Sequence, residues 1–176
     1  WNVYFENNAR AYRPPGFPWF LAQLYRLTGI SHEAARVVLA ILGATQCMLL
    51  SLWAMRLSST RVAVIAGLLC ALDPQLIRYP QTLQSEILYL ALLNLALFVL
   101  FVALRKNRLR LHVAAGALFG LTALSREIAI FVPLVVGLWY MTCRETLPPR
   151  RAAAWAALAF GLAVVVLPWS YRNFQI

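Results

Sequence analysis

Long apolar runs alternate with short polar breaks along this chain, and the breaks predict the elements. Residues 1–15 are polar and aromatic, contain Asn7-Asn8 and end on Pro14-Pro15, so they read as a loop. Residues 17–28, FPWFLAQLYRLT, predict a short helix that cannot cross about 30 Å of hydrocarbon. Its Phe17, Trp19, Phe20 and Tyr25 suit headgroup depth, which makes it an interfacial helix. Gly29-Ile30-Ser31 breaks it, and Ser31 with Glu33 two residues on marks a new helix start. That helix, 32–57, is long enough to cross. After Ser58-Ser59-Thr60 comes an apolar run over 62–72, stopped by Asp73-Pro74. Residues 75–85, QLIRYPQTLQS, read as a polar loop with at most a short helix, and Glu86 opens a clean apolar run to Leu104.

Residues 111–143 are apolar except at Ser125-Arg126-Glu127. As one helix they would measure roughly 50 Å at 1.5 Å per residue, too long for one crossing, so a break at 125–127 is expected. A basic loop, RETLPPRR over 144–151, leads to a last crossing at 152–168, which Pro168 is expected to end. The pattern predicts an all-α polytopic transmembrane bundle of about six crossings. Residues 1–31 form an outer loop and interfacial helix, and 32–176 form the bundle.

Composition excludes the soluble alternatives. Hydrophobic residues make up 62% of the chain and charged ones 12%, against about 45–50% and about 25% in soluble domains. The net charge of +10 would raise nucleic acid as a partner in a soluble protein. Here basic residues crowd into short loops between apolar runs, which the positive-inside bias explains, so no nucleic acid is expected. Cys47, Cys70 and Cys143 each lie in an apolar run without metal-ligand spacing and read as small packing residues. His32 and His112 are isolated from each other. No metal site or cofactor is expected.

Charge also orients the chain. Three groups, Arg56/Arg61, residues 105–110 and residues 144–151, hold nine Lys/Arg and one acid, Glu145. If all three are cytoplasmic, an even number of crossings separates each pair, so 62–72 and 86–104 both cross and 111–143 crosses twice. The short segments 62–72 and 111–124 then end in a protein-lined cavity rather than in lipid. The other face collects seven arginines, 10, 13, 26, 36, 78, 126 and 172, and five acids, 6, 33, 73, 86 and 127. The positive-inside bias does not call for arginines there. Arg13 precedes Pro-Pro, Arg126 lies between two crossings, Arg172 follows the last one, and Glu86 opens a helix. Ionisable groups at the membrane boundary usually face a cavity and a partner. The planar fork of arginine suits a lipid phosphate or diphosphate. Two structural readings stay open at this point: Arg126 and Glu127 pair with each other to cap a hairpin, and Arg13 and Arg172 snorkel to headgroups.

The ordered set "YRPPGFPWFLAQLYRLTG", "ALDPQLIRYPQTLQSEILYLALLNLAL", "GALFGLTALSREIAIFVPLV" and "LPWSYRNF" resembles the polytopic GT-C glycosyltransferases. The closest group is the protein-mannosyltransferase and aminoarabinose-transferase-like superfamily, glycosyltransferase family 39 and its relatives. The resemblance implies an inverting transferase in the cell membrane. It takes a sugar from a polyprenyl-phosphate donor to an acceptor at the non-cytoplasmic face, with membrane lipid as its other partner. It also implies that Arg13, in the R-P-P turn beside Tyr12, and Arg126, after the "LTxL" helix, contact the carrier phosphate. Glu86 in the "SE" element orients the donor or its basic partners, and Arg172 lies in the matching "PWxxRN" element. The family's catalytic carboxylate lies upstream of the R-P-P turn, so the catalytic acid is expected before Trp1. The competing readings are a transporter or flippase for a lipid-linked anion, against which no internal repeat is seen, and a non-catalytic fragment.

Overall fold

The computed structural model describes residues 14–142 and 148–175, with side chains described at 14–139 and 152–175. Tyr12 and Arg13 lie outside the described residues, and so does the loop segment 143–147. Every regular element within them is helical.

Helix starts and stops follow local chemistry. Helix α1, Gly16–Thr28, begins behind Pro15 and stops at Gly29, whose φ of 75° favours a residue without a Cβ. Helix α2, His32–Leu57, is capped by Ser31, whose hydroxyl accepts the Ala34 N–H. Ser59 does the same for α3, Thr60–Ala71, by accepting from Val62 N–H. The Asp73 carboxylate accepts from Gln75 N–H and starts the short α4, Pro74–Arg78, with proline at its first position. Helix α5, Glu86–Lys106, ends on Asn107 in the left-handed conformation. Helix α6, Leu109–Ser125, ends where Arg126 turns extended. A 3₁₀ turn, Glu127–Ile130, leads into α7, Phe131–Thr142, and α8 spans Pro148–Phe174.

The contacts fix the direction of each helix. Ser51 meets Gly67 and Cys47 meets Cys70, so α2 and α3 form an antiparallel hairpin. Gly43 meets Ile87, and ten residues later Trp53 stacks edge-on against Phe98 and Phe101, so α2 and α5 run parallel. Helices α5 and α6 run antiparallel, because Glu86 at the start of one pairs with Arg126 just past the end of the other. Gly116 meets Leu158 and Gly120 meets Val165, so α6 and α8 run parallel. The chain must therefore return between them, and it does so through α7, whose Gly137 near its end abuts Trp155 near the start of α8.

One end of the bundle consequently carries both hairpin loops with Arg56, Arg61 and residues 105–110. The opposite end carries Arg36, residues 73–86, Arg126 and Arg172.

Helix α6 is the central rod, packed on α1, α5 and α8. Phe119 is fully buried among Ala96, Leu100, Ala115 and Leu158. Glycine makes the α6–α8 crossing close. A Cβ at Gly116 would collide with the Leu158 carbonyl, and one at Gly161 with the Val113 carbonyl.

Among the described residues three helices are long and apolar enough to cross a membrane: His32–Leu57, Glu86–Lys106 and Ala152–Phe174. The shorter apolar segments are Thr60–Ala71, Leu109–Ser125 and Glu127–Trp139. Two sequence expectations change. Pro168 does not end the last helix, which runs on to Phe174. Proline removes the one N–H that would bond the Val164 carbonyl four residues back, and transmembrane helices tolerate that single loss. Residues 148–151, expected in a loop, open α8, and proline there is tolerated in a first turn. The run 62–72 forms a helix of only 12 residues, about 18 Å at 1.5 Å per residue. Its Cys70 meets Cys47 of α2, and residues of α2, α3, α4 and the turn that follows line a cavity there.

Candidate functional site

Two of the residues singled out by the sequence, Glu86 and Arg126, meet at the end opposite the basic loops. Arg126 Nη1 donates to Glu86 Oε1 at 2.7 Å, across 40 residues of sequence. Glu86 stands in the first turn of α5, where a carboxylate also interacts favourably with the helix dipole. Arg126 follows the last residue of α6 with φ −153° and ψ 124°. This extended residue turns its side chain off the helix axis and breaks the apolar run at the expected place. The described partner of Arg126 is thus Glu86, not its neighbour Glu127, and the reading of a self-paired Arg126–Glu127 cap is set aside. The Arg126 side chain is 44% exposed and that of Glu86 20%. The Glu86 side chain is largely covered, while that of Arg126 is partly exposed and carries further N–H donors beside the one given to Glu86.

Glu86 is delivered by a stiff turn. Leu83 N–H and Gln84 N–H donate back to Pro80 and Tyr79, and Leu83 takes a left-handed φ of 51°. A bulky residue adopts that conformation at a cost of roughly 1–2 kcal/mol. Arg36 steadies the turn from α2. Its Nε donates to the Gln81 carbonyl at 3.2 Å, while its Nη1 donates to Glu33 at 2.7 Å. The sequence placed Arg36 on this face but gave no sign of its hold on the turn, because a carbonyl acceptor has no signature in the side-chain pattern. The i, i+3 spacing of Glu33 and Arg36 was the only readable signal.

Arg172 occupies the same end, since α6 and α8 run parallel. Its cation lies 5.4 Å from the ring centroid of Trp169, within cation–π reach, and among the described residues no ion pair joins it to Glu86. Arg13 and Tyr12 lie outside the described residues, but the glycine of the R-P-P-G turn is described. Gly16 lies against the last turn of α6, where a Cβ would come 2.6 Å from the Leu124 carbonyl and 2.9 Å from Ser125 N. The start of α1 is therefore held directly beside Arg126.

A partly exposed arginine held by a largely covered carboxylate, with Arg172 at the same end of the bundle, offers positive charge to an anionic group. A family model described as dolichyl-phosphate-mannose-protein mannosyltransferase matches residues 12–171 of the chain. Searches among curated proteins and among solved structures gave no match.

Proposed function

We propose that this chain, which belongs to the dolichyl-phosphate-mannose-protein mannosyltransferase family and is a membrane glycosyltransferase of the GT-C type, takes its sugar from a polyprenyl-phosphate-linked donor and delivers it to an acceptor at the non-cytoplasmic face. The observation that carries this reading is the Arg126–Glu86 pair, 2.7 Å long, at the end away from the basic loops. The positive-inside bias favours assigning the basic loops to the cytoplasm, which turns the pair outward.

In this reading the donor's phosphate meets the open side of the Arg126 guanidinium while Glu86 fixes the other side. Attack on the anomeric carbon breaks the bond to the phosphate oxygen, and negative charge builds on that phosphate as it leaves. A preorganised guanidinium stabilises the leaving group more than the ground state, which lowers the barrier. Arg13 joins the site through its turn. Pro14 and Pro15 restrict the backbone about it, and the three residues from Arg13 to Gly16 span no more than about 11 Å. Arg172, held on Trp169, supplies further positive potential at this end.

The test uses the full-length protein in vesicles with a labelled polyprenyl-phosphate sugar. Arg13→Ala and Arg126→Ala should each slow transfer 10-fold or more, about 1.4 kcal/mol of transition-state stabilisation. Wild-type rates in both variants would overturn the donor site. Movement of the intact lipid-linked sugar across the bilayer with no transfer would replace the transferase by a transporter.

A further inference from the structure

The sequence offers Cys47 and Cys70 as unrelated apolar packing residues, 23 positions apart. The fold brings them together. Their sulfurs lie 3.3 Å apart across the α2–α3 hairpin, and both are free thiols. The approach has a local cause one turn away. Gly67 lets α3 sit against α2 so closely that a Cβ there would collide with the Ser51 hydroxyl. Both thiols also line the cavity of about 650 Å³ between α2, α3 and α4, whose mouth carries Arg36 and Gln81. They are half-buried rather than sealed, so a small reagent can reach them.

We infer that Cys47 and Cys70 form a vicinal dithiol, a modification site that closes to a reversible disulfide by exchange with a disulfide-bearing oxidant. One thiol, as thiolate, attacks the oxidant's S–S bond and releases one of its sulfurs as a thiol, leaving a mixed disulfide on the protein. The second cysteine then attacks the protein-side sulfur of that mixed disulfide, forms the Cys47–Cys70 bond and releases the other half as a second thiol. Two S–H bonds of the protein are lost, one S–S bond forms, and the oxidant is reduced to two thiols. Closure needs the sulfurs to approach from 3.3 Å to about 2.05 Å. The bond ties α3 to α2 directly below α4 and the turn that delivers Glu86, so it fixes the strut under the candidate site. On the orientation proposed above, Cys70 lies near the end of α3 closer to the compartment where disulfides persist.

The chemistry is tested apart from that orientation and from any transferase activity. The whole protein, reduced and purified in detergent, is treated with 4,4′-dithiodipyridine, and the released thione and the peptide masses are read together. An isolated cysteine releases one thione and keeps one pyridylthio group. The dithiol should release two thiones, keep no adduct on Cys47 or Cys70, and yield a linked peptide pair lighter by two hydrogens. Cys47→Ser should restore a stable adduct on Cys70. Cys70→Ser should likewise leave a stable adduct on Cys47 and serves as a control. Adducts retained on both residues of the unsubstituted protein, or both thiols still alkylated by maleimide after treatment, would overturn the inference. So would a bond between chains.

Discussion

Replacing Arg126 and Glu86 singly and together tests whether the pair acts as one unit. The contact is a single 2.7 Å bond with one side 44% exposed and the other 20%. Exposed ion pairs contribute about 0.2–1 kcal/mol, and breaking a fully buried pair costs about 3–5 kcal/mol. An intermediate pair should show a coupling of about 1–2 kcal/mol in a double-mutant cycle, between those limits. Loss of Glu86 removes the restraint on the guanidinium but leaves the cation, so Glu86→Gln should slow transfer less than Arg126→Ala. The double variant Arg126→Ala/Glu86→Gln should be no slower than Arg126→Ala alone, because Glu86 acts only through Arg126. The assay is sugar transfer by the full-length protein, with thermal unfolding of each variant alongside to separate lost activity from lost fold. Independent, additive losses would refute the idea that Glu86 positions Arg126. A Glu86→Gln variant far slower than Arg126→Ala, with unchanged unfolding, would give the carboxylate a direct role instead.

Other consequences follow from the packing. Gly116→Val should destabilise the α6–α8 crossing by about 1–3 kcal/mol or more, since the neighbour is a backbone carbonyl that cannot rotate away; a falling unfolding temperature in detergent would register it. Arg36→Ala should loosen the turn before Glu86 and lower transfer several-fold while Arg36→Lys recovers little, because a lysine does not reproduce the two-sided contact with Glu33 and the Gln81 carbonyl. In a cysteine-free background, Arg126→Cys should react with an impermeant maleimide from the non-cytoplasmic side and Lys106→Cys only from the cytoplasmic side. The reverse labelling would invert the proposed orientation.

Much of the architecture was legible because its determinants are local. A run of apolar residues has no choice but to form a helix in a medium that cannot satisfy its backbone, so the runs gave the elements. Ser31, Ser59 and Asp73 cap helices by bonds to N–H groups two or three residues away. The break at Arg126 was read from a polar interruption of an apolar run, and the even count of segments between basic loops anticipated that both hairpins lie at one end. Pro168 misled because proline's local penalty is fixed, while the surroundings of the helix decide whether it continues through the one lost bond.

The sequence by itself determined which residues are ionisable at the helix boundaries, and so named Glu86, Arg126 and Arg172 as candidates together with Arg13. It left open which of them touch. Only the tertiary structure decided that Arg126 turns to Glu86 across 40 residues rather than to its neighbour Glu127, that Arg172 rests on Trp169, and that Cys47 meets Cys70. These contacts depend on helix direction and on how closely two rods approach, which Gly67, Gly116 and Gly161 set by having no side chain to hold the backbones apart. A missing Cβ is visible in a sequence as a glycine, but the surface that fills the space is not.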